Sequence, residues 1–521
     1  MTRPVAALTG RRRRAGTPAG DPSVLVLAPL AIEARAVRAG ARSADVQRIG
    51  MGPNRARRAA SLTREGPAGP VVIAGFCGGL DPELEPGHIV LASELRGPTG
   101  TTECAAPSIL AGHLRRGGFE VRVGPVASTR RPVVRERRRA LAGTGALAVD
   151  MESAWLAPEA RAKPLVTLRV VLDTGRHELH RPLRTAAAAA RAYRVLRDAS
   201  ALVEEWTRAL GEREVVLASP RASCAGVVRA VEIVERVLAD RGAPVYVRKQ
   251  IVHNAHVVGL LERRGAVFVD EVDEVPEGAT TIFSAHGVSP AVRAQARERG
   301  LDVIDATCPL VAKVHAEARR FGASGREIVL IGHRGHEEVE GTVGEGPDRT
   351  HVISSEEDVE RLEVADPDRV AYLTQTTLAV DETASVVEAL RRRFPTMAGP
   401  SSDDICYATQ NRQDAVRALA VDCDAVLVVG SENSSNARRL VEVSERAGCR
   451  ALLVENAGDI PPDWLAGTRR VGVTAGASAP GALVDEVVHA LDGLGGATVS
   501  ERTVAKEDVH FKLPARLRKG S

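Results

Sequence analysis

Short apolar runs alternate along most of the chain with longer stretches that have helical periodicity. Clear examples of the apolar runs are residues 23–28, 165–172, 328–331 and 425–429. Runs of this length, bounded by glycine, proline and small polar residues, are typical of buried strands. Residues 186–205 are instead rich in alanine with apolar positions at helical spacing, which predicts a helix. Strands that alternate with helices predict an α/β fold with parallel sheets and with functional groups at the strand C-terminal ends.

Breaks in this pattern predict the domain organisation of the 521 residues. Residues 1–21 are basic but lack an apolar segment with a cleavage site, which predicts a disordered leader instead of a signal peptide. Residues 22–208 contain the first set of strands and end in the alanine-rich helix. A short polar stretch follows, and residues 212–521 contain the remaining elements, which predicts a second catalytic or binding part.

Composition excludes several classes of protein. The formal net charge is only +3 and aromatic residues make up 3% of the chain. The sequence therefore indicates neither the strong positive field nor the base-stacking surface that nucleic-acid binding would require. The sequence contains no run of about 18 apolar residues, so no membrane-spanning helix is predicted. Seven widely spaced cysteines without a secretory signal predict reduced thiols and a cytoplasmic protein.

Three cysteines occupy comparable places in the second part. Cys224, Cys308 and Cys406 each follow a strand-like apolar run and precede a helix-like stretch. A helix N-terminus stabilises a thiolate, most clearly at Cys224. Three such strand–cysteine–helix units predict three lobes that direct one thiolate each to a common centre, which suits an iron–sulfur cluster with one open iron. Zinc held by these cysteines and a histidine is the alternative, and it predicts a colourless protein.

The sequence pattern also allows an interpretation of other cysteines and of a group of polar residues that could bind an anion. Cys423 and Cys449 are interpreted as core residues, and Cys104 is unassigned. Several histidines and small polar residues follow other strands, where helix N-termini and hydroxyl groups suit an anion such as a diphosphate. They are His253, His286, His336, Ser434, Ser435, Asn436 and Ser478. Residues 434–436 also fit a plain helix N-cap.

The order of short motifs in the second part adds a family resemblance. They are Val-His-Asn at 252–254, Ser-Ala-His-Gly at 284–287, Ala-Thr-Cys-Pro at 306–309, Gly-His-x-Gly-His at 332–336, Thr-Gln-Thr-Thr-Leu at 374–378, Asp-Asp-Ile-Cys-Tyr-Ala-Thr at 403–409 and Asn-Ser-Ser-Asn at 433–436. From Val215 to about Pro514 the chain resembles the 4-hydroxy-3-methylbut-2-enyl diphosphate reductases, which catalyse the last step of the methylerythritol phosphate route to isoprenoids. Glu337 departs from this resemblance, since the family often has proline there.

The resemblance implies roles for the matching residues. Cys224, Cys308 and Cys406 resemble the ligands of a 4Fe-4S cluster at the centre of three α/β lobes. Glu338 resembles the acid that delivers a proton, and Thr376 the hydroxyl that orients this acid and the substrate alcohol. The histidines, serines and asparagine named above resemble the diphosphate-binding residues. The implied reaction is reductive dehydroxylation to isopentenyl and dimethylallyl diphosphate, with ferredoxin or flavodoxin as electron donor.

The first part resembles the nucleoside phosphorylase and nucleosidase superfamily, which implies a three-layer αβα domain. Glu33 matches the residue that positions the attacking water, Met151 and Glu152 match the pair that binds the ribose hydroxyls, and Asp173 matches the acid that protonates the leaving purine. The chain departs from the family pattern at Leu172, where serine is usual, and at Cys77 in the glycine-rich turn 75–79, which follows a predicted strand at 71–74.

Two alternative functions remain open at this point. The main activity could be N-glycosidic cleavage by the first domain, with the second part as a ligand-binding module, or the second part could be a diphosphate sensor whose binding is indifferent to iron. The run Arg137-Arg138-Arg139 is interpreted as a solvated helix face.

Overall fold

The computed structural model describes residues 24–65, 70–98, 100–104, 107–160, 164–176 and 182–517. The predicted leader at residues 1–21 lies outside them. The chain divides into two compact units, the first formed by Met1–Cys104 with Gly118–Leu210 and the second by Ala105–Gly117 with Gly211–Ser521. The domain limits 22–208 and 212–521 stay predictions. Within the described ranges, no helix combines the length and apolar character that crossing a bilayer requires.

The first unit is mixed α/β, as predicted. Its strands are β1 (Leu25–Ala28), β2 (Asp45–Arg48), β3 (Val71–Gly79), β4 (Ile89–Gly97), β5 (Gly100–Glu103), β6 (Val121–Ser128), β7 (Ala148–Asp150) and β8 (Leu165–Asp173). The helices encoded in this part of the chain are α1 (Ala31–Gly40), α2 (Pro53–Glu65), α3 (Ser108–Arg116), α4 (Arg135–Ala142), α5 (Ser153–Leu156) and α6 (Pro182–Trp206). Among them, α3 belongs by its contacts to the second unit.

The strands of the first unit pair in the order β2-β1-β3-β7-β6-β4-β5, and β8 pairs with both β3 and β4, which closes part of the sheet into a ring. Strand β3 differs from the prediction, in which a strand ended at Ala74 and a glycine-rich turn followed. The stretch Gly75–Gly79 continues the strand because its backbone pairs with β8 and then with β7. Sheet pairing therefore overrides the low strand propensity of glycine here.

The second unit contains the other elements. Its strands are β9 (Arg213–Ser219), β10 (Val245–Arg248), β11 (Ala266–Val269), β12 (Thr280–Phe283), β13 (Asp302–Asp305), β14 (Glu327–Ile331), β15 (Thr350–Ile353), β16 (Val370–Thr374), β17 (Ala425–Val429), β18 (Ala451–Val454), β19 (Arg470–Ala475) and β20 (Ala497–Thr503). Its helices are α7 (Ala225–Arg241), α8 (Ala255–Arg263), α9 (Pro290–Glu298), α10 (Pro309–Ala323), α11 (Glu337–Glu345), α12 (Glu356–Arg361), α13 (Val380–Arg393), α14 (Tyr407–Ala420), α15 (Ser435–Arg446), α16 (Pro462–Leu465) and α17 (Gly481–Asp492).

These strands form three separate sheets with the orders β11-β10-β12-β13, β15-β14-β16 and β18-β17-β19-β9-β20. Every strand pair in the three sheets is parallel. In a parallel sheet the carboxyl ends of all strands lie at one edge, so the loops that follow them come together. The predicted parallel α/β architecture is thus confirmed for this unit.

Buried aliphatic residues explain why the strands form where they do. All residues of β14 and β17 are buried, as expected for strands covered on both faces by helices. Small polar residues begin several of the following helices: Asn254 caps α8 by accepting from the Val257 amide, and Ser434 caps α15 by accepting from the Ala437 amide. These caps place the N-termini of α8 and α15 at the sheet edges where the parallel strands end.

Candidate functional site

One cavity of about 770 Å³ in the second unit contains every site residue predicted for that part of the chain. Its lining includes Cys224, His253, His286, Cys308, His336, Glu338, Thr376, Cys406, Ser434, Ser435, Asn436 and Ser478. Loops from all three parallel sheets supply these residues. Side chains that lie far apart in sequence are therefore brought together at the carboxyl ends of the strands.

The three cysteines share one local geometry, because each is the N-cap residue of a helix. Cys224 precedes α7, Cys308 precedes α10 and Cys406 precedes α14. Free backbone N–H groups at a helix N-terminus favour negative charge on a nearby sulfur. All three side chains are partly exposed, whereas Cys77, Cys104, Cys423 and Cys449 are buried.

Close packing brings two of the sulfurs near the same glycine. A Cβ atom on Gly226 would lie 2.8 Å from the Cys308 sulfur and 3.8 Å from the Cys224 sulfur, so only glycine fits at this position. Backbone hydrogen bonds fix each cysteine against a neighbouring loop: Cys224 N–H donates to Ala477 O at 3.1 Å and Cys308 N–H donates to Ala285 O at 2.9 Å.

Cys406 differs from the prediction in one respect, because no strand immediately precedes it. Residues 399–406 are irregular, and the apolar residue before the cysteine belongs to a loop. Two hydrogen bonds hold this loop at the end of β16: Cys406 N–H donates to Thr376 O at 3.1 Å, and Thr374 N–H donates to the Asp404 carboxylate at 3.1 Å. The loop thus reaches the cavity edge without a strand of its own.

Burial favours the neutral thiol at two of the three cysteines. Burial raises the pKa of Cys308 to about 12 and that of Cys406 to about 11. Thr409 opposes this effect at Cys406, because its backbone N–H donates to the sulfur at 3.4 Å and its hydroxyl lies 3.1 Å away. A cation that binds the sulfurs must therefore displace their protons. Cys423 and Cys449 lie in a hydrophobic core, as predicted.

Glu338 is buried at the start of α11, with 2% of its surface exposed. Thr376 binds both carboxylate oxygens: its N–H donates to Oε1 at 2.7 Å and its hydroxyl donates to Oε2 at 3.0 Å. Burial raises the pKa of Glu338, although these hydrogen bonds and the nearby His286 act in the opposite direction. The result is a carboxyl group that is oriented and more readily protonated than an exposed glutamate.

Three imidazoles form a cluster beside this carboxyl group. The rings of His253 and His286 are stacked with centroids 4.0 Å apart, and the His336 ring lies edge-on at 5.3 Å and 5.9 Å from them. Burial, followed by the neighbouring imidazoles, lowers the pKa of His253 to about 2 and that of His336 to about 4. These two side chains are therefore neutral at physiological pH.

The predicted hydroxyl and amide residues lie together near the N-terminus of α15. Ser478 Oγ lies 3.3 Å from Ser434 Oγ and donates to His253 O at 2.9 Å. Asn436 accepts from the Ala477 N–H at 2.9 Å, and the hydroxyl groups of Thr377 and Ser435 are 3.2 Å apart. A helix N-terminus surrounded by hydroxyl groups is a suitable binding place for a phosphate group.

The cavity lining also includes polar and aromatic residues for which the sequence predicted no role, among them Thr377, Thr409 and Phe511. The two threonines lie within motifs noted above, one residue after Thr376 and three after Cys406, so their spacing was an available signal. Phe511 belongs to the segment after β20, which has no regular secondary structure. This segment has no helical or strand-like periodicity, so nothing in the sequence indicated that the Phe511 ring contributes to the cavity wall.

A second cavity, of about 860 Å³, lies within the first unit and contains Glu33, Met151, Glu152 and Asp173. Glu33 is 2% exposed and accepts hydrogen bonds from the N–H groups of Leu30 and Phe76, each at 2.6 Å. Burial raises the pKa of both Glu33 and Glu152. The predicted residues of the first domain thus line one cavity.

Two buried arginines change the interpretation of the cavity in the first unit. Arg138 is 6% exposed and pairs with the Asp173 carboxylate, so the prediction of a solvated arginine run is wrong for this residue. Arg169 is fully buried and lies 2.5 Å from Asp150 and 3.8 Å from Glu152. Because a buried guanidinium stabilises an ionised partner, Arg138 opposes a role for Asp173 as a proton donor.

The family model for LytB protein matches residues 215–492, which is more than half of the chain. The chain belongs to the LytB protein family. A second model, for the Phosphorylase superfamily, matches residues 32–208. The LytB match encloses the three cysteines, the histidine cluster and all of the motifs described above, and the resemblance inferred from those motifs is confirmed.

Individual relatives agree with the family match. A protein of Azoarcus sp. (strain BH72), named 4-hydroxy-3-methylbut-2-enyl diphosphate reductase, is 58% identical over 308 residues, which cover 59% of this chain and 99% of the relative. A protein of the same name from Leifsonia xyli subsp. xyli is 59% identical over 310 residues, covering 59% and 92%. The solved structure of the E-1-hydroxy-2-methyl-but-2-enyl-4-diphosphate reductase from Plasmodium falciparum is 36% identical, with a TM-score of 0.57, covering 59% and 97%.

Proposed function

We propose that the LytB part of the chain reduces (E)-4-hydroxy-3-methylbut-2-enyl diphosphate to isopentenyl and dimethylallyl diphosphate, the final step of the methylerythritol phosphate pathway. In this reaction the allylic C–O bond breaks and a C–H bond forms. Two electrons and two protons enter, and one water molecule leaves. The observation that carries the proposal is the single cavity that contains thiols, a buried carboxyl group and an imidazole-hydroxyl cluster.

The three N-cap cysteines are suited to holding a 4Fe-4S cluster between the three α/β lobes. Two of the sulfurs approach the same glycine, and all three line the cavity. Three thiolate ligands leave one iron of such a cluster open. When bound, the cluster would supply the electrons and a Lewis-acidic iron for the substrate hydroxyl. Cys224, Cys308 and Cys406 are the proposed ligands.

Glu338 and Thr376 are the proposed catalytic residues. The buried carboxyl group holds a proton more readily than an exposed one, because burial raises its pKa. Thr376 holds both carboxylate oxygens, so the acid keeps one orientation in the cavity. A positioned acid of this kind can deliver a proton to the substrate as the C–O bond breaks. The Thr376 hydroxyl can also contact the substrate alcohol.

The diphosphate is proposed to bind at the part of the cavity that the histidines and hydroxyl groups line. The residues that bind it are His253, His286, His336, Ser434, Ser435, Asn436 and Ser478. The neutral imidazoles of His253 and His336 and the hydroxyl groups can donate hydrogen bonds there, and the N-terminus of α15 adds its free N–H groups. Contacts to the non-reacting phosphates fix the allylic alcohol relative to Glu338. The proposed electron donor is a ferredoxin or flavodoxin.

Anaerobic purification tests the proposal directly. We expect a brown protein with about four irons per chain that consumes the diphosphate substrate with reduced methyl viologen as electron source. A colourless, zinc-containing protein would contradict the cluster assignment. Tight diphosphate binding by an iron-free protein, without turnover in the iron-loaded form, would support a sensor instead.

Replacement of Ser434 by alanine is expected to weaken substrate binding, because it removes a hydroxyl group from the proposed phosphate site. We expect KM to rise about tenfold, the effect of one lost hydrogen bond to a charged group, with little change in kcat. Ser355→Ala is the matched control, since Ser355 caps α12 in the same unit outside the cavity. Loss of the cluster in Ser434→Ala would show that the phosphate assignment is misplaced.

Glycosidic cleavage as the main activity is not favoured, because the LytB match covers more than half of the chain. We expect Asp173→Asn to leave reduction of the diphosphate substrate within about twofold of the wild-type rate, since the proposed reduction uses residues of the second unit. Steady-state turnover of the full-length variant checks this. A large loss of reductase activity with an intact cluster would require a role for the first unit in that reaction.

A further inference from the structure

Glu337 places a carboxylate beside His286, one of the histidines proposed to bind the diphosphate. Its Oε2 atom lies 3.1 Å from Nδ1 of His286. Both side chains are largely buried, with 17% and 15% of their surface exposed. An acidic residue at an anion site needs a physical reason, because like charges repel. The following inference about Glu337 rests on the proposed function.

The two other imidazoles of the cluster do not need a charge to bind an anion. His336 accepts the Glu338 backbone N–H at its Nδ1 atom, at 3.2 Å. Because a neutral imidazole carries one proton, that proton is on Nε2, where it can be donated to a phosphate. His253 and His336 are both neutral at physiological pH, as their lowered pKa values require.

His286 is oriented in the opposite way. Its Nδ1 atom faces a carboxylate, which can only accept a hydrogen bond, so Nδ1 carries the proton. In the neutral ring Nε2 is then an acceptor and cannot bind a phosphate oxygen. Only the doubly protonated ring can bind Glu337 through Nδ1 and a phosphate through Nε2. Ser284 Oγ, at 3.5 Å from Nδ1, is a weaker contact that leaves this arrangement unchanged.

Metal binding is a less suitable interpretation of the same side chains. Ligand atoms of His253, His286 and Glu337 lie within 4.8 Å of one another, close enough to suggest a divalent cation. However, the two imidazole planes are inclined by only 17° and are stacked. The lone pairs of ring nitrogens lie in these nearly parallel planes, so they do not converge on one ion. The described geometry therefore favours a hydrogen-bonded pair over a metal site.

We propose that Glu337 is a positioning residue that holds the Nδ1 proton of His286, so that binding of a diphosphate group is coupled to uptake of a second proton on Nε2 of that ring. The charged or titratable groups that act on the histidine cluster are His253 from the segment before α8, His333 and His336 from the loop after β14, Glu337 and Glu338 from the start of α11, and Arg438 on α15. Of these groups, Glu337 is the one bonded to a ring nitrogen of His286.

Proton uptake measured by calorimetry tests the coupling. Inorganic diphosphate is titrated into the cluster-loaded, full-length protein at pH 8 in two buffers of different ionisation enthalpy. We expect the wild-type protein to take up close to one proton more than Glu337→Gln, because a glutamine amide can donate to Nδ1 and leave the Nε2 proton on a neutral ring. The wild-type affinity should also fall more steeply with rising pH, by up to tenfold per pH unit.

Two further variants make the result specific. Glu340→Gln removes the same charge from an exposed position on α11 and should behave like the wild type. Glu337→Pro also removes the carboxylate, and proline is well tolerated at the first position of a helix. It should therefore reproduce the reduced proton uptake even if the glutamine variant folds poorly.

Equal proton uptake by the wild type and both Glu337 variants would overturn the inference while leaving the proposed function intact. Failure of the wild-type protein to bind diphosphate at all would overturn both, because the phosphate site would then be wrongly assigned. The protonation of free diphosphate is the same in every experiment. A difference in proton uptake between the variants therefore comes from the protein.

Discussion

Glu338→Gln should bind the cluster and the substrate normally but turn over about 10²- to 10⁴-fold more slowly, the usual contribution of a positioned acid. Glutamine has the shape of the protonated carboxyl group and can keep both contacts to Thr376, whose N–H and hydroxyl lie 2.7 Å and 3.0 Å from the carboxylate. It cannot release a proton. The measurement is single-turnover kinetics under anaerobic conditions, which separates the chemical step from product release.

Glu317→Gln is a suitable control for this experiment. Glu317 is also a buried glutamate of the second unit, 7% exposed, but it lies on α10 outside the cavity and contacts Ser401. Its replacement should leave the chemical step within about twofold of wild type, while the stability changes by an amount typical of a lost buried hydrogen bond, about 1–3 kcal/mol. Unchanged single-turnover kinetics in Glu338→Gln would remove Glu338 from the role of proton donor.

The sequence predicted the second unit more completely than the first, for a physical reason. Its central strands, such as β14 and β17, are buried on both faces, so they form continuous apolar runs in the sequence that end in glycine, proline or a helix cap. Polar residues after those runs must lie at the sheet edges, and His253, Glu338 and Ser434 are indeed found there. The order of the motifs along the chain then indicated which sheet edges share a cavity. Local periodicity alone does not show which edges come together.

The errors come from interactions that join distant parts of the chain. Gly75–Gly79 resembles a turn by composition, but pairing with β7 and β8 keeps it extended. Arg138 lies in an arginine-rich helix, and only the tertiary structure reveals that this one side chain is turned inward to Asp173. Cys406 has no preceding strand because its loop is held by Thr376 across the end of β16. Phe511 reaches the cavity from a segment without periodic structure.

Cys308→Ser is expected to abolish reductase activity and the brown colour of the anaerobically purified protein. The serine hydroxyl is a poor substitute for a thiolate toward iron. Cys308 is the N-cap of α10, and its sulfur lies close to Gly226 at the junction with the helix that Cys224 caps. Because serine is itself a favourable N-cap, the helix should still form, and the loss should be confined to the metal centre.

Cys423→Ser provides the comparison, since Cys423 lies in a hydrophobic core away from the cavity. This variant should be less stable by about 1–3 kcal/mol, because a hydroxyl group is buried among apolar side chains, yet it should retain iron and colour. Iron content, visible absorption and thermal unfolding are measured for both proteins. A Cys308→Ser protein that keeps four irons per chain and wild-type turnover would exclude Cys308 as a ligand and, with it, the shared thiolate centre on which the reductase mechanism depends.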